Sequence, residues 1–98
     1  MNTNELVWIG RYGSKLLAML KEHDPDKYTS LLFEGTLKEY LLAQDEYISG
    51  RIWDLAMELA KQNGVNEELK RHDQMRWVQE INSFRNMAEE MVFAEYLD

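Results

Sequence analysis

The 98-residue sequence has no cysteine, one proline and two histidines. Without cysteine there is no disulfide framework and no thiolate nucleophile, as suits a reducing cytoplasm. His23 and His72 have no partner at ligand spacing, and a metal centre needs three or four converging ligands. No glycine-rich phosphate loop or nucleophile elbow occurs. Ser14, Ser30, Ser49 and Ser83 have no histidine nearby to activate them. No apolar run approaches membrane-spanning length, and the opening Met-Asn-Thr-Asn-Glu lacks the basic region of a secretory signal. From these absences the expectation is a cytoplasmic protein that is not an enzyme, binds no metal or cofactor and does not enter a membrane.

Positive charge is also scarce. Eleven bases stand against eighteen acids, a net charge of −7. Residues 1–33 are neutral overall, residues 34–69 sum to −5 and residues 70–98 to −2. Lys70, Arg71, Arg76 and Arg85 are the only candidates for a basic nucleic-acid surface in the last block, and they alternate with acids. Duplex DNA repels a surface of this sign, because non-specific affinity comes from Lys and Arg on phosphates. No strong direct DNA binding is expected, and a basic protein partner is the better electrostatic fit.

What remains is a strong helical pattern. The stretch from Asp73 to Leu97 contains no Gly and no Pro. Trp77, Ile81, Phe84, Ala88, Met91 and Val92 recur there at helical spacing and form one apolar face. A single helix cannot bury such a face alone, so the other helices must cover it. Upstream, Asn2 with Glu5 resembles a capping box before a helix to Glu22, whose stripe is Leu6, Ile9, Gly13, Leu16, Leu17 and Leu20. Gly10 and Gly13 are read as lying inside this helix, where a close helix crossing would require them. Trp8, Tyr12 and Met19 form a second apolar edge. Asp24-Pro25 ends the first helix and starts a second, in which Tyr28, Leu31, Leu32 and Phe33 are expected to face inward. Gly35 suits the left-handed residue that ends it.

Thr36 and Glu39 form another capping box, opening a long helix with Leu37, Leu41, Ile48, Ile52, Leu55, Ala56 and Leu59 on its stripe. Asp45 falls inside that stripe, and a buried carboxylate needs a partner, for which Arg85 and Tyr12 are the candidates. Gly50 is a candidate bend. Asn63-Gly64-Val65-Asn66 stops one helix and caps the next, a connection short enough to make its neighbours antiparallel. A further break is expected near His72-Asp73. The reading is an all-α, single-domain helical bundle over residues 1–98. It has about four helices, near 4–22, 25–34, 37–62 and 67–97, including a long antiparallel hairpin. The expected core is Leu16, Leu20, Leu41, Ile48, Ile52, Leu55, Ile81, Phe84 and Ala88.

Ile9-Gly-Arg-Tyr-Gly13, Leu20-Lys-Glu-His23, Tyr28-Thr-Ser-Leu-Leu32 with Gly35, and Gly64-Val-Asn-Glu-Glu-Leu-Lys70 resemble segments of the TnpV family of transposon-encoded proteins. So do Asp73-Gln-Met-Arg-Trp-Val78, Ile81-Asn82, Arg85 and Ala88-Glu-Glu90. The resemblance runs over nearly the whole chain, without an acidic, Pro-containing N-terminal segment common in the family. It implies carriage on bacterial mobile elements and an accessory, excisionase-like role, with no catalytic residues to carry over.

Three functions compete. The first is a non-enzymatic accessory protein of a mobile genetic element, acting by protein–protein contact on a recombinase or the transfer machinery. The second is an acidic inhibitor of a host nucleic-acid-binding defence enzyme, in the manner of anti-CRISPR proteins against a CRISPR-type nuclease. The third is a DNA-binding excisionase-like factor, which the charge disfavours. For the protein-contact readings the candidate surface is Glu46, Trp53, Asp54, Glu58, Glu89, Glu90 and Phe93, acids on rigid helices with two aromatic anchors. Off-stripe Trp53, Met57, Met75 and Phe93 also suggest a symmetric homodimer.

Overall fold

A computed structural model of the chain describes residues 9–97, the side chains as far as Tyr96. The Asn2–Glu5 capping box, Leu6 and Trp8 lie outside the described residues. Among the described residues all regular structure is helical. The elements are α1 (Gly10–His23), α2 (Pro25–Glu34), α3 (Leu37–Gln62), α4 (Glu67–His72) and α5 (Gln74–Leu97). The protein is an all-α helical bundle. Among the described residues there are five helices rather than four, because the break expected at His72-Asp73 is complete. The Asp73 carboxylate accepts the Arg76 N–H at 3.1 Å, and its own N–H donates to the Leu69 carbonyl at 2.7 Å. One residue thus closes α4 and caps α5. The chain divides into two compact units, Met1–Ser49 and Gly50–Asp98, with α3 running unbroken through Gly50.

In the first unit, α1 buries Gly13, Leu16 and Leu20 along one face. The expectation that a helix runs through Gly10 is corrected. Gly10 has φ +84°, a left-handed conformation no helix interior contains, so α1 starts there. Asp24 closes α1 with its N–H on the Leu20 carbonyl at 3.0 Å. Its carboxylate accepts the Lys27 N–H at 3.3 Å, with Pro25 at the first position of α2. Gly35 ends α2 at φ +73°, and Thr36 N–H bonds back to the Leu31 carbonyl at 3.0 Å, satisfying the last turn.

The inward reading of α2 fails for two residues. Tyr28 and Leu31, three positions apart, are half-buried, but Leu32 and Phe33 rotate off that face, and Phe33 is 87% exposed. Lys21 and Lys27 lie 5.4 and 5.0 Å over the Tyr28 and Tyr40 rings, tying α2 to α1 and to the start of α3. Leu37, Leu41 and Ile48 complete this unit's buried set with Ile9.

In the second unit, Gly64 takes φ +76°, Val65 N–H reaches the Ala60 carbonyl at 2.9 Å, and the Val65 side chain is buried behind the turn. Asn66 caps α4 by accepting the Leu69 N–H at 3.1 Å. Ile52, Ala56 and Ala60 of α3 and Ile81, Phe84, Ala88 and Val92 of α5 are buried. Four stripe residues of this unit are not fully buried: Leu55, Leu59 and Trp77 are half-buried, which corrects Leu55 as a core residue, and Met91 is 50% exposed.

Arg51 pairs with Glu95 through both guanidinium nitrogens, the Nη2–Oε1 bond measuring 3.0 Å. Residues on either side of the Gly64 turn can meet in this way only if α3 and α5 run antiparallel, so the long hairpin is present. Hydrogen bonding to Arg51 holds the exposed Glu95 carboxyl below its ordinary value. The pair therefore stabilises the fold above the ordinary carboxylate range and weakens as pH falls through the lowered value.

Ile52 is 1% exposed. Ile52→Ala is expected to cost about 2–5 kcal/mol, measured by urea denaturation with the slope unchanged.

Candidate functional site

Asp45 is the first residue to place, since a carboxylate within an apolar stripe is either structural or functional. Its Oδ1 accepts two main-chain hydrogen bonds, from Tyr12 N–H and Gly13 N–H, both at 2.9 Å. These are first-turn donors of α1, which have no acceptor within their own helix. Ile9, at the helix start, supplies no side-chain cap. Asp45 is thus the N-cap of α1, delivered from α3. Tyr12 was one expected partner, and its main chain is what bonds. Arg85, the other expected partner, belongs to the second unit, half-buried, with its buried Nε lacking an acceptor among the described residues.

The site admits no side chain at the helix start. A Cβ at Gly10 would fall on the Asp45 carboxylate, and one at Gly13 would lie 3.1 Å from the Leu41 carbonyl and 3.3 Å from the Asp45 Cβ. Gly13 therefore permits the close crossing expected of it. Asp45→Ala is expected to destabilise the protein by about 1–3 kcal/mol by orphaning two donors. Asp45→Asn, which keeps an acceptor, is expected to lose less in the same denaturation experiment.

The candidate partner residues lie in both units. On α3, Ile52, Ala56 and Ala60 turn inward. Asp54, Glu58 and Lys61 occupy the opposite arc, with Trp53, 55% exposed, and half-buried Met57 at its border. On α5, Glu90 is exposed on the side opposite Ile81, Ala88 and Val92, with half-buried Glu89 beside it. Of the second unit's candidates, Trp53, Asp54 and Glu58 stand on α3, and Glu89 and Glu90 on α5. Glu46 is exposed in the first unit. Phe93 must be corrected. It is 4% exposed, its ring tilted 41° against Tyr96 at 6.1 Å, so it belongs to the covered interior and is not an exposed anchor.

The bases gather at the α4–α5 elbow. Lys70 Nζ lies 4.8 Å over the Trp77 ring, Arg76 pairs with Glu80 at 3.9 Å, and Arg71 is exposed. Beside them Gln74, Met75, Val78 and Gln79 line a shallow, mainly apolar dent, with Met75 75% exposed. Val78 escapes sequence reasoning because only the break at Asp73 decides where the first turns of α5 point. Among the described residues no three His, Asp or Glu converge as a metal site, and no helix is long and apolar enough to cross a membrane.

The family of the transposon-encoded protein TnpV matches residues 1–97. The chain belongs to the TnpV family. No curated protein and no solved structure matches it. Several of its glycines and one aspartate have structural duties. Gly10 and Gly13 admit the Asp45 cap, Gly35 and Gly64 end helices, and Asp73 makes the elbow. In this TnpV family member, Phe93→Ala is expected to act as a core truncation, costing about 3–5 kcal/mol and lowering the calorimetric Tm.

Proposed function

We propose that this TnpV family member is a non-enzymatic accessory protein of a bacterial mobile element that works by binding another protein through the outer face of α3. The observation that carries the reading is Trp53, 55% exposed between the interior stripe and the acids Asp54 and Glu58. A large indole at the edge of a charged face is the kind of group that anchors an interface, while flanking acids set orientation and association rate against a basic partner. The net charge of −7 favours a Lys/Arg-lined groove over nucleic acid. The family supports the mobile-element setting, and a recombinase or transfer protein encoded on the same element is the first partner to test.

In co-purification with that recombinase, Trp53→Ala is expected to weaken binding by about 2 kcal/mol or more, roughly thirtyfold. Asp54→Lys combined with Glu58→Lys is expected to slow association and abolish its salt dependence. Helicity and Tm should be unchanged, since all three positions are exposed or at a border. Element-transfer frequency should fall with binding. Full binding and full transfer in both variants would remove this face from the mechanism. Loss of inhibition of a host nuclease by the same variants, with transfer proteins unbound, would support the inhibitor reading.

A further inference from the structure

The second unit carries two surfaces of opposite character. The outer face of α3 presents Trp53 with Asp54 and Glu58. The α4–α5 elbow presents the dent of Gln74, Met75, Val78 and Gln79. Residues 70–79 hold three bases against one acid, in a chain that is otherwise strongly negative. That acid, Asp73, is engaged in capping α5. Arg71 has no ion-pair partner among the described residues, and Arg76, held in an exposed 3.9 Å pair with Glu80, would exchange that partner for an incoming acid. Met75 and Val78, 75% and 43% exposed, supply a thioether and a branched aliphatic group, good company for an indole.

We propose that the elbow is the receptor for the α3 face of a second copy of this chain, with Trp53 of one copy on the Met75–Val78 dent of the other and Asp54 and Glu58 against Arg71 and Arg76. The charges are complementary, and an aromatic group of one surface matches an apolar hollow of the other. An apolar dent suits a side-chain anchor and offers nothing to a phosphate backbone, so a protein occupant is favoured over nucleic acid. Each copy offers one face and one receptor, so a twofold arrangement makes the same contact twice and closes as a dimer. The inference does not rest on the partner proposed above, since it concerns the purified chain alone. A foreign partner on the α3 face would compete with self-association.

Sedimentation equilibrium of the purified chain tests it by charge exchange. The wild-type chain is expected to dimerise, weakening at least tenfold between low and high salt. Asp54→Lys with Glu58→Lys, and separately Arg71→Glu with Arg76→Glu, are expected to weaken the dimer tenfold or more while keeping wild-type helicity. Mixing the two variants restores both complementary contacts, so a 1:1 pair is expected. Both variants remain net negative, so bulk attraction cannot produce that pair. Trp53→Ala reports the apolar part independently and is expected to dissociate the dimer. A wild-type monomer at high micromolar concentration, undiminished dimers of either folded variant, or a mixture that fails to pair overturns the proposal.

Discussion

The carboxylate of Asp45 on the first turn of α1 is the interaction on which the first unit depends. A helix beginning at a left-handed glycine, with Ile9 before it, has no local group to receive its first N–H donors. Leaving two such donors without acceptors would cost about 1–3 kcal/mol in a partly buried site. Asp45 receives both at 2.9 Å and places a negative charge at the positive end of the α1 dipole. That geometry demands the two glycines. Gly10 leaves space for the carboxylate, and Gly13 lets the α3 main chain approach. Two glycines three positions apart and an aspartate 32 positions beyond the second form one constraint; a Cβ at Gly10 would fall on the carboxylate and one at Gly13 would crowd the α3 main chain.

The second unit is held differently. Its apolar interior is narrow, with alanines at 56, 60 and 88 among larger Ile, Phe and Val side chains. Small residues let helices approach closely. Arg51 and Glu95 clamp the hairpin near its open end, and Gly64 with Val65 closes it at the turn. So thin a layer leaves large apolar groups outside, among them Trp53, Met75, Val78, Met87 and Met91. An isolated chain gains nothing by exposing them together with charge of both signs.

Much of the fold was legible because it is written in local signals. Asp24-Pro25, Gly35, the Gly64 turn and Asp73 end or begin helices by main-chain geometry that depends on a few neighbouring residues. Three- and four-residue spacing likewise marks Leu16, Leu20, Leu41, Ile48, Ile52, Ile81, Phe84 and Ala88 as interior, and all are buried. The candidate surface was half legible. The exposure of Trp53, Asp54 and Glu58 follows from their angular distance from the stripe. Spacing along α5 gives no warning that Phe93, well off the centre of its stripe, is covered.

Alone, the sequence determined the helical class, the positions of most helix ends, the acidic balance and the resemblance to the TnpV family. These depend on composition and on contacts within a few residues. Tertiary structure decided that Asp45 finds main-chain partners, that Gly10 starts a helix instead of lying inside one, and that Phe93 is buried while Phe33 is not. Each of these depends on which other helix lies across a given face. Periodicity says that a side chain has a face, and only packing says what covers it.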